Sequence, residues 1–329
     1  MTPTRRALLG SVLAAQAATG GCVQAIGERP LRGADSHPVG YPTVEAVAYF
    51  GRRISEQTNG RLRLANYAGG QLGEEKDTLE ITIFGGLDFN RVNLALLNPL
   101  ESLTLVPSLP FLFRSTEHMR RALDGAPGQA LLESLQPHGL IGLAFYDSGE
   151  RSFYNTRRPI RTPADMRGLK LRVQTSDLYV ALVQALGANP IPMSYGEVFQ
   201  GLVQKVVDGA ENNWPSFQDS RHYEVARYYS LTRHVMAPEV LVASSRTWSR
   251  LSQPDRDLIR QAASDSVPFM RRLWEDREAQ ARRLVEAAGV EVIEDIDRTA
   301  FETAMRPVWD RFVTSQRQSD LVAAIRALT

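Results

Sequence analysis

An arginine inside an apolar strand is costly unless something uses its charge. Arg172 stands in such a run, KLRVQ at residues 170–174. Its planar guanidinium can present two parallel N–H donors to a carboxylate. Some forty residues on comes Glu211-Asn212-Asn213-Trp214, a polar group that follows a short segment where the chain should be leaving a sheet. Ligands of open α/β sheets sit at strand ends, where connections diverge. Arg172 therefore reads either as an anchor for an anion or as a strand-edge arginine paired with a structural aspartate. Arg91 and Asn93 share a strand face with Phe89 in LDFNRVN. They are unusual on a core-facing strand, and the alternative is the solvent face of an edge strand. Glu74 and Glu75 are adjacent carboxylates that can serve as acid or base, or simply complement the dipole at a helix start. Arg151 lies in a further strand-like piece, SGERSFYN.

The elements that must position these residues alternate. Residues 169–173 and 188–193 read as strands. Between them Leu178, Leu182 and Leu186 recur every four residues on one helical face, and Gly187 follows. Ser194 and Glu197 form a capping box ahead of a second amphipathic run carrying Val198, Leu202 and Val206. This order is a βα unit of a mostly parallel sheet. Upstream, helices are expected over 43–59, 74–84 and from 115 or 116 to 135, and strands over 61–67, 87–97 and 140–146. Downstream, a short helix is expected over 222–229, strands over 228–234, 238–244 and 290–294, and a terminal helix over 297–328. Residues 253–288 are helix-compatible almost throughout, with Pro254 at the start, Pro268 as a kink and Gly289 after the end. About 35 helical residues extend roughly 50 Å, enough to cross two domains.

The 329 residues suffice for two domains, and 43% apolar with 23% charged content is ordinary for a folded soluble chain. The net charge of +1 shows no basic stripe that would suit nucleic acid. The single cysteine excludes a disulfide within the chain and a cysteine-rich zinc site. Phosphate-loop, dinucleotide, zinc-protease and serine-hydrolase motifs are absent, and His37, His118, His138, His222 and His234 lack metal-ligand spacing. That absence favours a binding protein. The start, TRRALLG followed by an alanine-rich run to about residue 19, reads as an export signal of twin-arginine type. Cys22 offers a lipoprotein site, but Thr19 stands where such sites prefer an aliphatic residue.

Five stretches together carry a resemblance: GQLGEEKDTLE (70–80), SLPFLFRSTEHM (108–119), GLKLRVQ (168–174), ALGANPIPMSYGEVFQGL (185–202) and VVDGAENNWPS (206–216). In this order they resemble the solute-binding proteins of tripartite ATP-independent periplasmic (TRAP) transporters, over nearly the whole chain after the signal. The set is specific, although each stretch is weak alone. The resemblance implies an α/β, two-domain periplasmic binding protein-like fold with hinge strands and a long domain-spanning helix. The expected division is a leader at 1–30, a first domain from 31–150 plus 237–270, and a second from 151–236 plus 271–329. It implies an organic acid held by Arg172, with Arg151 and Asn212 contributing and Glu75, Arg91 and Asn93 facing the ligand. It also implies a monomer without cofactor or metal, handing its cargo to membrane permease subunits. The strings FNRVN, EHM, FYDSGERSFYN, DGAENNWPS and HYEVARYY look most like the branch that binds hexuronates such as glucuronate or galacturonate. A uronate has one carboxylate for Arg172 and hydroxyls for Asn93, Asn212, Asn213, Glu75 and His37. Alternatives are a C4-dicarboxylate or 2-oxo acid ligand, a periplasmic enzyme using Glu75 or His37, and a ligand sensor. Trp214 reads either as a sugar-stacking ring or as core.

Overall fold

The computed structural model describes residues 29–328. The signal-like start and Cys22 lie outside the described residues. Two mixed sheets form the frame. The first has strands β1 (Leu31–Ala34), β2 (Leu64–Tyr67), β3 (Phe89–Asn93), β4 (Leu140–Tyr146) and β10 (Glu239–Ser244), in the order β2-β1-β3-β10-β4. The second has β5 (Arg151–Asn155), β6 (Lys170–Val173), β7 (Asn189–Pro192), β8 (Gly209–Asn212), β9 (Tyr228–Val235) and β11 (Glu291–Ile293), in the order β11-β9-β5-β8-β6-β7. β10 enters the first sheet antiparallel to both β3 and β4, and β5 runs antiparallel to β8 and β9. The sheets are thus mixed rather than mostly parallel. β3 is an interior strand and is buried throughout, so the edge-strand alternative for Arg91 and Asn93 does not hold.

The chain passes between the two halves at residues 147–150 and again at 236–238. A third link is a 35-residue helix, α9 (Gln253–Ala287), the ninth in a series that opens with α1 (Pro42–Gln57), α2 (Glu75–Ile83), α3 (Thr116–Asp124), α4 (Ala126–Ser134), α5 (Asp177–Ala185), α6 (Val198–Val203), α7 (Trp214–Asp219) and α8 (Ser245–Arg250). Ser252 caps α9 by accepting from Asp255 N–H at 3.3 Å. Its Ile259, Ala263, Met270 and Trp274 sit in the core beneath the first sheet, and its Ala281 and Val285 in the core of the second. The expected domain-spanning helix is present, and it runs unbroken through Pro268.

Several boundaries differ from expectation for local reasons. Residues 116–135 form two helices, because the chain turns at Gly125 between α3 and α4. α6 stops at Val203, Lys205 adopts a left-handed φ of 59°, and Val206 is exposed rather than on a buried face. The helix expected over 222–229 shrinks to one turn at His222–Glu224, since Arg221 before it is left-handed (φ 59°) and β9 begins at Tyr228. The terminal run divides into α10 (Arg298–Phe312) and α11 (Gln316–Arg326), with Ser315 capping the second. The expected division puts α11 in the second half, and its contacts reach into the first. Gln318 Nε2 donates to Ser102 O at 3.0 Å, and His118 Nε2 meets Ile325 O at 2.9 Å. Gly209, inside VVDGAEN, meets a steric demand: a Cβ there would lie 2.2 Å from Tyr154 O on the neighbouring β5.

Candidate functional site

The polar residues converge where β3, β6 and β8 end and where β5 and β10 begin, all on one side of the two sheets. Two adjoining cavities lie between the halves. Both are lined by Glu75, Arg172, Gln174 and Tyr195. The inner one adds Ser36, His37, Asn93, Arg151, Asn212, Ser216 and Glu239. Contacts cross between the halves around them. Tyr41 Oη and Ser216 Oγ are 2.9 Å apart, Gly196 N–H donates to Glu74 Oε2 at 3.4 Å, and Asn98 Nδ2 donates to Ser176 Oγ at 2.8 Å.

Three arginines reach this region, and they are not equivalent. Arg91 is wholly buried and surrounded by acids. Its Nε and NH2 fork onto Asp35, and NH1 is shared between Glu239 (2.7 Å) and Glu75. Against the cost of burial, these carboxylates hold its pKa above the usual arginine range. It lines neither cavity, and it contacts Glu75, Glu239 and His37, which line the inner one, from behind. Arg151 makes a two-bond pair with Glu211 on β8, and its NH1 donates to Asn212 Oδ1 at 2.9 Å. Burial opposes its charge, but Glu211 raises its pKa. Arg172 is different. Its Nε donates to Met193 O at 2.8 Å, while its terminal nitrogens have no partner and no ion pair among the described residues. It is only 4% exposed, and burial lowers its pKa. A buried guanidinium whose terminal N–H groups line a cavity is suited to hold an anion.

Around it stand groups suited to hydroxyls. Asn212 accepts from Arg151 and from Asn213 N–H through Oδ1, leaving Nδ2 for the cavity. Asn93 Nδ2 donates to Glu239 Oε1 at 3.0 Å. His37 stacks on Tyr41 at 3.9 Å, and its Nδ1 faces Arg91 NH2 at 2.6 Å. A guanidinium only donates, so Nδ1 accepts and the ring proton sits on Nε2. Gln174 Nε2 is buried without a partner among the described residues.

Asn213, an expected ligand residue, and Trp214, read either as a sugar-stacking ring or as core, are both engaged within the protein. Asn213 Oδ1 accepts from Ser216 N–H at 2.8 Å as the cap of α7, and its Nδ2 donates to Ser148 O at 2.8 Å. Trp214 stacks on Tyr229 at 4.0 Å within the second-half core, away from both cavities. Sequence reasoning missed Glu239, Tyr195, Gln174, Ser36 and Ser216. Two signals were present: an acid opening the apolar strand EVLVAS, and a glutamine closing KLRVQ.

Two α/β halves joined by crossing segments, with a polar cavity walled by both and, among the described residues, a buried arginine without an ion pair, define a clam-shell binding protein. The family described as bacterial extracellular solute-binding protein, family 7, matches residues 33–316, and the chain belongs to it. A solute-binding protein of Chromohalobacter salexigens is 43% identical over 282 residues, 86% of this chain and 84% of that one. A TRAP periplasmic solute-binding protein from Xanthobacter autotrophicus Py2, solved with bound β-D-galacturonate, is 47% identical with a TM-score of 0.89, covering 91% of this chain and 100% of its own. Another, from Chromohalobacter salexigens with bound D-glucuronate, is 41% identical with a TM-score of 0.87, covering 90% and 99%. Members of the family are periplasmic components of transporters.

Proposed function

We propose that this protein captures a hexuronate, galacturonate or glucuronate, in the periplasm and delivers it to the permease subunits of a TRAP transporter. The observation that carries this reading is Arg172, which lines the cavity and whose terminal nitrogens have no ion pair among the described residues. Of the three arginines, Arg91 is committed to Asp35, Glu75 and Glu239, and Arg151 to Glu211. Among the described residues Arg172 is the one of these three arginines without an ion pair, and one such cation suits one carboxylate, which argues against a dicarboxylate. Asn93, Asn212, His37 and Glu75 supply the mixed donors and acceptors that sugar hydroxyls need. The two related structures with bound uronates support the same ligand class. The protein acts in this reading by binding, with no chemical step, and enters the periplasm through its N-terminal export signal. Its two domains divide near 147–150 and 236–238, the first keeping α11.

Isothermal calorimetry of the mature protein against galacturonate, glucuronate, succinate, a 2-oxo acid and glucose tests this. Binding of the uronates, with no heat from glucose or succinate, is expected. Binding confined to dicarboxylates or oxo acids would overturn the ligand assignment, and product formation on incubation would overturn the non-catalytic one.

A further inference from the structure

The carboxylates around Arg91 differ in how many donors support their charge. Asp35 takes the Nε and NH2 fork of Arg91 and the backbone N–H of His37 at 2.8 Å. Glu239 takes Arg91 NH1 at 2.7 Å, Asn93 Nδ2 at 3.0 Å and Ser148 Oγ at 3.1 Å. Glu75 takes only a share of Arg91 NH1, through Oε1. Its Oε2 has no partner among the described residues, and Glu75 lines both cavities. A carboxylate removed from water stays ionised only with compensating donors or cations, and Glu75 has the fewest.

Charge balance sharpens the point. The cationic groups of the cavity wall and its backing are Arg91, Arg151 and Arg172, against Asp35, Glu75, Glu211 and Glu239. A ligand carboxylate adds one more negative charge to an enclosure already carrying an excess of one. Glu75 is faced by Arg91 from β3, by Asp35 and His37 from the loop after β1, by Glu239 from β10, and by Arg172, Arg151 and Tyr195 from the second half. Glu74 and Lys76 flank it on its own helix. Burial works against ionisation of all three acids around Arg91. Arg91 overcomes this for Asp35, held down at about 2, and for Glu239, but not for Glu75, which is pushed up.

We propose that Glu75 takes up a proton from solvent as the cleft closes on its anionic ligand, and that the resulting Oε2–H donates a hydrogen bond to a ligand oxygen. Capture is then binding of the acid plus one proton, and the site selects ligands with an acceptor oxygen opposite Glu75. This rests on the anionic-ligand reading above. At neutral pH an open, hydrated Glu75 is ionised, so affinity falls as pH rises through the value Glu75 has in the complex.

The test is calorimetry of galacturonate binding in phosphate and in Tris between about pH 6 and pH 8, since these buffers release protons with different heats. The wild-type binding enthalpy is expected to depend on buffer in the sense of proton uptake. Glu75→Gln is expected to abolish that dependence, and His37→Gln to keep it. Equal enthalpies in both buffers throughout would overturn the proposal while leaving the ligand assignment intact. Uptake that persists in Glu75→Gln, or vanishes in His37→Gln, would move the proton elsewhere and overturn it too. The wild-type and His37→Gln arms decide the matter even if Glu75→Gln does not fold. Failure of every acid to bind would overturn the ligand reading and this proposal together.

Discussion

Replacing Arg172 with methionine should separate binding from stability. Among the described residues the guanidinium makes one hydrogen bond, Nε to Met193 O at 2.8 Å. Its terminal nitrogens are available for two charge-assisted bonds to a carboxylate, each contributing about 1.5–3 kcal/mol. Their loss costs about 3–6 kcal/mol, a fall in affinity of roughly 10²–10⁴-fold. Stability moves little: the lost Nε bond costs about 1 kcal/mol, and removal of an uncompensated buried charge offsets it. Arg91→Met is the control with the opposite outcome. It strands Asp35, Glu75 and Glu239 without their cation, and breaking buried pairs in this way costs about 3–5 kcal/mol. The assay is urea unfolding of both variants and the wild type, with and without galacturonate at about 100 times the wild-type Kd. That concentration stabilises the wild type by about 2.7 kcal/mol, and a 100-fold weaker variant by only about 0.4 kcal/mol. An Arg172→Met protein as unstable as Arg91→Met, or one that keeps the ligand-induced gain, would refute the reasoning.

Gly209→Ala would force a Cβ to within 2.2 Å of Tyr154 O, a backbone oxygen held in the sheet. It should cost about 1–3 kcal/mol or more in chemical denaturation. Tyr41→Phe removes the hydrogen bond to Ser216 Oγ between the halves. With a bond contributing about 0.5–1.5 kcal/mol, ligand release by stopped flow should accelerate roughly 2- to 12-fold. Burial, with repulsion from Glu150, pushes Glu278 on α9 up to about 7. A carboxyl raised on folding contributes stability below its unfolded value of about 4.3 that is lost as pH rises through the folded one. Wild-type stability should therefore decline on this account between about pH 5 and pH 8, and Glu278→Gln should flatten that limb of the unfolding curve.

What was legible in the chain was whatever local chemistry writes into it. The α5 face of Leu178 and Leu182, the run of β4 and the length of α9 each follow from periodicity or capping, and each is present. The resemblance supplied what periodicity cannot, namely that Arg172 and Arg151 meet across separate strands. What was not legible shares a cause. Arg91 and Asn213 have the chemistry of ligand contacts, but their donors are consumed by Asp35, Glu75 and Glu239 in one case and by Ser148 in the other. Those partners lie 16 to 148 residues away in the chain, so no spacing rule announces them. Glu239 escaped notice for the same reason. It opens an apolar strand, and its significance lies in Arg91 and Asn93, which it meets only once β10 is paired with β3. The helix expected at 222–229 failed because a left-handed Arg221 and the pairing of β9 override a helical pattern.

The insertion of β10 between β3 and β4 also sets the order in which the molecule can be assembled. β4 pairs with β10 and with no other described strand, and β10 begins about ninety residues after β4 ends. Until residues 239–244 arrive, the first sheet is two separate pieces with unpaired edges at its future centre. Neither half is therefore a module that can mature alone as the chain grows. Closing such long intervals before any reward favours slow, all-at-once folding of both halves. A fragment ending near residue 146 would be an aggregation-prone remnant rather than a small stable domain, and the practical dissection points of this protein do not coincide with its geometric ones.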